Sequence, residues 1–187
     1  MSNNHPVVRA DIILDRDGVI NLDSDAYIKS CDEWIPIQKS IEAISLLHKA
    51  GHRVFIATNQ SGVGRGYFSL DTLDKMHQKM LKLIDGLGGK ITEISFCPHN
   101  PDDHCNCRKP KPGLLHQLAS NHDINLSKAI LIGDSLRDLQ AATAANCKAI
   151  LVLTGKGKKT FQNNPNLPYP HFENLYDASQ HIIQQAS

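Results

Sequence analysis

Short apolar runs alternate with amphipathic stretches along this chain. Ile12, Ile13 and Leu14 form one uninterrupted run, and Val54, Phe55, Ile56 and Ala57 form another within 53–58. Runs this short and rich in β-branched residues suit strands buried on both faces. Similar runs at 91–96, 129–132 and 148–153 bring the predicted strands to five. Between them the apolar period changes to that of helices. Ile41, Ile44 and Leu47 predict a helix over 40–50 that Gly51 stops. Ser69 opens another helix, whose stripe is Leu73, Met76, Met80, Leu81 and Ile84 and whose end is Gly86, Gly88 and Gly89. Further helices are predicted over 114–122, 138–145 and 176–184, an irregular excursion over 19–36, and a mobile polar loop over 156–170. Strands alternating with helices predict an α/β fold: a Rossmann-like three-layer α/β/α arrangement on a mostly parallel sheet.

The ends of those strands carry the chemistry. The first runs into Asp15, Arg16, Asp17, Gly18 and Val19, the second into Thr58, Asn59, Gln60 and Ser61, and the fourth into Gly133, Asp134 and Ser135. Parallel strands place these ends on one edge of the sheet, where open α/β sheets bind ligands. Each group has a bland reading alone: Asp17-Gly18 as a turn, Asp134-Ser135 as a helix cap, Arg108 and Lys109 as a solvated basic patch. Together, three carboxylates can hold a hard divalent cation such as Mg²⁺. Thr58, Asn59, Lys109 and Arg108 offer groups suited to phosphate oxygens. Acids, a cation, a hydroxyl and a lysine around one phosphate suggest phosphoryl transfer through an aspartyl-phosphate.

Composition narrows the classes. A length of 187 residues fits one domain, and a net charge of +1 gives no global attraction to nucleic acid or anionic membranes. No apolar run approaches the ~20 residues of a membrane helix. Residues 1–6 lack the basic and apolar regions of a signal peptide, so the expected compartment is the cytoplasm, with reduced thiols. Three of the five cysteines are bunched. Cys97, His99, Cys105 and Cys107 make a Cys₃His set, the ligation of a structural Zn²⁺, on a loop at about 97–107. The alternative is a reduced cluster without metal. The zinc would leave no position open for catalysis, and would hold Arg108 and Lys109, which directly follow Cys107.

Asp15-Arg16-Asp17-Gly18-Val19, Thr58-Asn59-Gln60-Ser61, Lys109 and Gly133-Asp134 with Asp138 resemble, in order, the four motifs of the haloacid dehalogenase-like phosphatases. The resemblance runs from about 11 to 154 and implies one such domain over 1–187. It implies Asp15 as nucleophile and Asp17 as general acid and then base, with a pKa nudged upward to suit both roles. Thr58 and Lys109 would bind the phosphoryl group. Mg²⁺ would be held by Asp15, Asp134 and the backbone carbonyl of Asp17, with Asp138 and Gly18 in support. The zinc loop and the stretch from Asn59 through Arg65 to Phe68 narrow the resemblance to the subfamily of histidinol-phosphate and heptose-bisphosphate phosphatases. Pro112-Gly113-Leu114 leans toward the heptose branch, which supplies heptose for lipopolysaccharide. No insertion between motifs is large enough for a cap domain. Tyr27, Arg65, Arg108 and residues 62–64 are then candidates for reading a small sugar phosphate. The expected state is a monomer. A phospho-accepting receiver domain and a zinc-mediated nucleic-acid binder are the competing classes; the zinc loop opposes the first and the near-neutral charge the second.

Overall fold

The computed structural model describes residues 9–186; the leader reading, on residues 1–6, lies outside them. Six strands form one all-parallel sheet: β1 (Ile12–Leu14), β2 (Val54–Asn59), β3 (Glu93–Cys97), β4 (Ile130–Gly133), β5 (Lys148–Val152) and β6 (His171–Phe172), in the order β3-β2-β1-β4-β5-β6. The chain builds outward from β1 to β3, then returns to the other side of β1 to begin β4. Two adjacent strands whose connections leave in opposite directions open a crevice at their carboxyl ends, which is where such folds bind ligands. Asp15 leaves β1 and Asp134 leaves β4, so both face that crevice.

Each of β1 to β5 feeds two cores because successive side chains alternate faces. Ile12 and Leu14 join Ile44, Leu47, Leu73, Met76, Met80, Ala178 and Ile182 on one side. These come from α1 (Ser40–Lys49), α3 (Leu70–Gly86) and α7 (Leu175–Gln185). Ile13 joins Leu114, Leu115, Leu118, Leu139 and Ala142 on the other, from α4 (Gly113–His122) and α5 (Leu136–Ala144). The three-layer expectation holds, and the sheet is parallel throughout. Ser69 caps α3 by accepting from the Thr72 N–H at 3.1 Å. His77 is buried on the α3 stripe, while Leu81 is only half-buried.

One stretch differs from expectation. Residues 156–170 contain α6 (Gly157–Asn163), and β6 follows it. The polar composition hid α6 because Phe161 is its one large apolar contact with a core. Its hold comes instead from Thr160, whose hydroxyl donates to the Asp134 carbonyl at 3.0 Å. The glycine-rich stretch contains a single helical turn, α2 (Ser61–Gly64), that supports the Cys/His loop: the Gly64 N–H donates to the Pro98 carbonyl at 3.0 Å. A Cβ on Gly64 would stand 2.6 Å from that oxygen, so only glycine permits the approach. The 19–36 excursion carries no regular element, yet Val19, Ile20, Ile28 and Trp34 anchor it in the first core. No described helix is long and apolar enough to cross a membrane.

Candidate active site

A cavity of about 200 Å³ opens at the carboxyl ends of β1, β2 and β4. Its wall includes Asp15, Asp17, Thr58, Asn59, Gln60, Ser61, Arg108, Lys109, Asp134, Asp138 and Tyr27. Residues from four separated stretches therefore meet in one site.

Lys109 is the hub. It is 2 % exposed, and its Nζ lies 3.0 Å from Asp15 Oδ1 and 2.5 Å from Asp138 Oδ1. The solvated-patch reading of Lys109 is thus overturned. Burial alone would lower its pKa, but the charges of Asp138 and Asp15 outweigh that and raise it. Asn59 fixes the backbone beneath it, donating to the Lys109 carbonyl at 3.1 Å and accepting from the Lys109 N–H at 3.0 Å. The Asn59 amide, expected to serve a phosphate, lines the cavity and is engaged at both its oxygen and its nitrogen by this clamp. Asp138 accepts from the Ser135 N–H at 3.0 Å and its hydroxyl at 2.6 Å, so it closes the start of α5 while orienting Lys109.

Asp15, Asp134 and Asp138 each bring one carboxylate oxygen to within 4.8 Å of the others. Burial first, then the Asp138 charge, push the Asp15 pKa up to about 7. The same causes in the same order push Asp134 up to about 8. Hard oxygens crowded this closely fit a divalent cation, whose charge relieves their repulsion. Gly18 stands beside Asp134 with φ +83°, and a Cβ there would collide with Asp134 Oδ2. A pH dependence follows. Acids with raised folded pKa values contribute stability at acid pH that is lost as pH rises through about 7 to 8. The melting temperature gained on adding Mg²⁺ should therefore be larger at pH 8.5 than at pH 6. Thermal scans with and without added Mg²⁺ at both values, with zinc content held constant, check this, and an equal gain would contradict it.

Asp17 departs from expectation. Its Oδ1 accepts from Arg16 Nη2 and Asn21 Nδ2, both at 2.8 Å, and its Oδ2 from Gln60 Nε2 at 2.9 Å. Burial would raise its pKa, but the Arg16 charge and these bonds outweigh it and hold the carboxyl below its usual range. The predicted upward nudge is absent; donors on both oxygens favour the ionised form. Gln60 also donates to Thr58 Oγ1 at 3.0 Å, tying that hydroxyl to the acid.

The β5–α6 connection is the part that sequence reasoning missed. The Lys156 N–H donates to Asp134 Oδ2 at 2.7 Å, and the Thr154 hydroxyl to the Gly18 carbonyl at 2.6 Å. Lys156 Nζ reaches Asp23 at 3.1 Å, joining this connection to the 19–36 excursion. Asp23, Lys156 and Arg137 all line the cavity. The available signal was a Thr-Gly pair at a strand end followed by lysine. Arg65, predicted to read the sugar, is exposed and stands outside the cavity wall, because its turn supports the Cys/His loop. Tyr27 lies on the wall with its ring edge-on to Tyr67 at 5.0 Å.

Cys97, His99, Cys105 and Cys107 converge beside this site. Sγ of Cys97 is 3.6 Å from Cys105 Sγ and from His99 Nδ1; Cys107 Sγ is 3.5 Å from Cys105 Sγ and 3.3 Å from His99 Nδ1. A tetrahedral zinc with Zn–S and Zn–N bonds of about 2.3 and 2.0 Å needs edges of roughly 3.5–3.8 Å. The thiols are free, so the set fits the ion. His104 stands outside it.

Residues 106–178 match the HAD-hydrolase-like family. The chain is 52% identical over 177 residues to D-glycero-beta-D-manno-heptose-1,7-bisphosphate 7-phosphatase of Neisseria meningitidis, covering 93% of this chain and 95% of that one. It is 55% identical over 152 residues to the protein of the same name from Pseudomonas aeruginosa, covering 81% and 85%. The chain belongs to the haloacid dehalogenase-like phosphatases. Among solved structures, D,D-heptose 1,7-bisphosphate phosphatase from B. bronchiseptica, complexed with magnesium and phosphate, superposes with a TM-score of 0.91 at 46% identity, over 94% of this chain and 99% of that one.

Proposed function

We propose that this chain is a Mg²⁺-dependent phosphatase that removes the 7-phosphate of D-glycero-D-manno-heptose 1,7-bisphosphate. The observation that carries the reading is Lys109 Nζ set 3.0 Å from Asp15 inside a cavity shared with Thr58 and Asp134. It supports the reading by setting the Asp15 carboxylate beside a buried cation, and a relative 52% identical is named for this reaction. Asp15 attacks phosphorus as the bond to the C7 oxygen breaks, and Asp17 gives its proton to that oxygen. The arriving phosphate adds the like charge that favours protonated Asp17 beforehand. Asp17, ionised again, then takes a proton from water. The water oxygen bonds to phosphorus and the phosphorus–Asp15 bond breaks, releasing orthophosphate. Lys109 and Thr58 bind the phosphoryl oxygens throughout. Asp15, Asp134 and the Asp17 backbone carbonyl would hold Mg²⁺, which when bound stabilises charge on the phosphoryl group.

The zinc belongs to the same reading: bound by Cys97, His99, Cys105 and Cys107, it fixes the strand of chain that delivers Arg108 and Lys109. Arg108 Nη1 is buried without a hydrogen-bond partner among the described residues, and Arg137 shares the cavity wall with it. Burial, then the Arg137 charge, lower the Arg108 pKa. Two arginines lining one cavity suit a second phosphate. Arg137→Ala should raise KM for the bisphosphate by about tenfold and leave KM for the corresponding 7-monophosphate within about twofold, the loss of one charge-assisted contact. Phosphate release measured on the two heptose substrates and on histidinol phosphate tests the assignment. A higher kcat/KM for histidinol phosphate would overturn it.

A further inference from the structure

Arg16 lies between Asp15 and Asp17 in sequence, yet its side chain is fully buried. A guanidinium stays charged, so burying one requires acceptors for its N–H groups. Nε donates to Asp17 Oδ1 at 3.0 Å, and Nη2 to Oδ1 and Oδ2 at 2.8 and 3.0 Å. Nη1 points elsewhere, to Nε2 of His77 at 3.3 Å. His77 sits on α3 where the helical stripe calls for an apolar residue, 6 % exposed, its ring edge-on to Phe96. Burial and then the Arg16 charge push its pKa down to about 4. The ring is therefore neutral, Nε2 is the acceptor, and the proton belongs on Nδ1.

The guanidinium is thus held at both ends, by the Asp17 carboxylate and by a histidine sixty-one residues away. We propose that His77 is a positioning residue for the acid–base step, holding Arg16 so that Arg16 holds the Asp17 carboxyl at the leaving oxygen. The inference rests on the reading of Asp17 as acid and base. A residue filling the core alone would need no acceptor aimed at a buried arginine. Asn21 and Gln60 also grip Asp17, so losing His77 displaces the acid without freeing it.

Leaving-group dependence separates positioning from packing. An alkoxide leaving a sugar phosphate needs a proton, whereas the phenolate leaving p-nitrophenyl phosphate needs little. Two amide substitutions differ in which ring nitrogen they mimic: His77→Gln puts an amide near the place of Nε2, and His77→Asn puts one near that of Nδ1. His77→Asn should lower kcat/KM on the heptose bisphosphate by about tenfold and kcat/KM on the aryl ester by less than about twofold, because kcat/KM reports the leaving-group step and not the hydrolysis of the aspartyl-phosphate that both substrates share. His77→Gln should recover most of the loss. The ratio between substrates in one preparation is independent of how much of it is folded. Should His77→Asn not fold, His77→Leu carries the same test, since leucine packs on the apolar stripe of α3 and offers the guanidinium no acceptor. Equal losses on both substrates, no loss, or no recovery in His77→Gln would overturn the proposal. Asp17→Asn is the control. If it shows the leaving-group bias and His77→Asn does not, the positioning role alone fails; if Asp17→Asn lacks the bias, the reading of Asp17 fails.

Discussion

Asp15→Asn leaves a folded protein whose kcat falls by at least about 10⁴-fold, the scale on which enzymes lose activity when a nucleophile is removed. Asparagine keeps the shape of the side chain, so β1 and its continued pairing through the Asp15 N–H to the Ile132 carbonyl at 2.9 Å persist. It replaces the carboxylate that, in the proposed reaction, bonds to phosphorus. It also removes a negative charge from a group that burial and Asp138 already push toward its protonated form. Lys109 retains Asp138 as a partner. In chelator the variant should therefore melt no lower than the parent, which separates a chemical loss from misfolding. Residual turnover above about one part in a hundred, in protein shown to be free of parent enzyme, would remove Asp15 as nucleophile.

The second large effect is loss of zinc. A cross-link closing so short a loop is worth about 3 kcal/mol, and about 2–4 °C of melting temperature accompanies each kcal/mol in a chain this size. Removing the ion should lower the melting temperature by roughly 6–12 °C. The activity loss is smaller than the neighbourhood of Lys109 suggests, because Asn59 clamps its backbone and Asp138 its ammonium independently of the loop. A loss of about tenfold in kcat/KM is expected, borne mainly by KM as Arg108 loosens. Metal analysis alongside thermal scans and kinetics checks this. A zinc-free sample with unchanged melting and kinetics would refute the role of the ion.

The fold was legible because β1, β2 and β4 are apolar runs that stop at polar residues, a signal that survives without any tertiary knowledge. The same stops located Asp15, Thr58 and Asp134. What the sequence hid depends on contacts between distant segments. Asn59 looks like a phosphate ligand by type, and its partnership with the Lys109 backbone exists only once β2 and the Cys/His loop meet. His77 sits at core spacing with methionines, where a polar ring gives no hint that a buried arginine waits beneath it. Beyond Leu153 the β5–α6 connection is polar, and Asp134 orders it by accepting the Lys156 N–H. Glycines misled for a related reason: Gly64 makes room for the Pro98 carbonyl, a backbone neighbour that composition cannot name.

The most direct test of the account follows the two phosphates of heptose 1,7-bisphosphate by ³¹P NMR during incubation with catalytic amounts of protein and Mg²⁺. Many turnovers are expected, in which the signal of the phosphate on the primary carbon is replaced by orthophosphate while the anomeric phosphate persists. Loss of the anomeric signal first, or phosphate release that stops at one equivalent per chain, would contradict it.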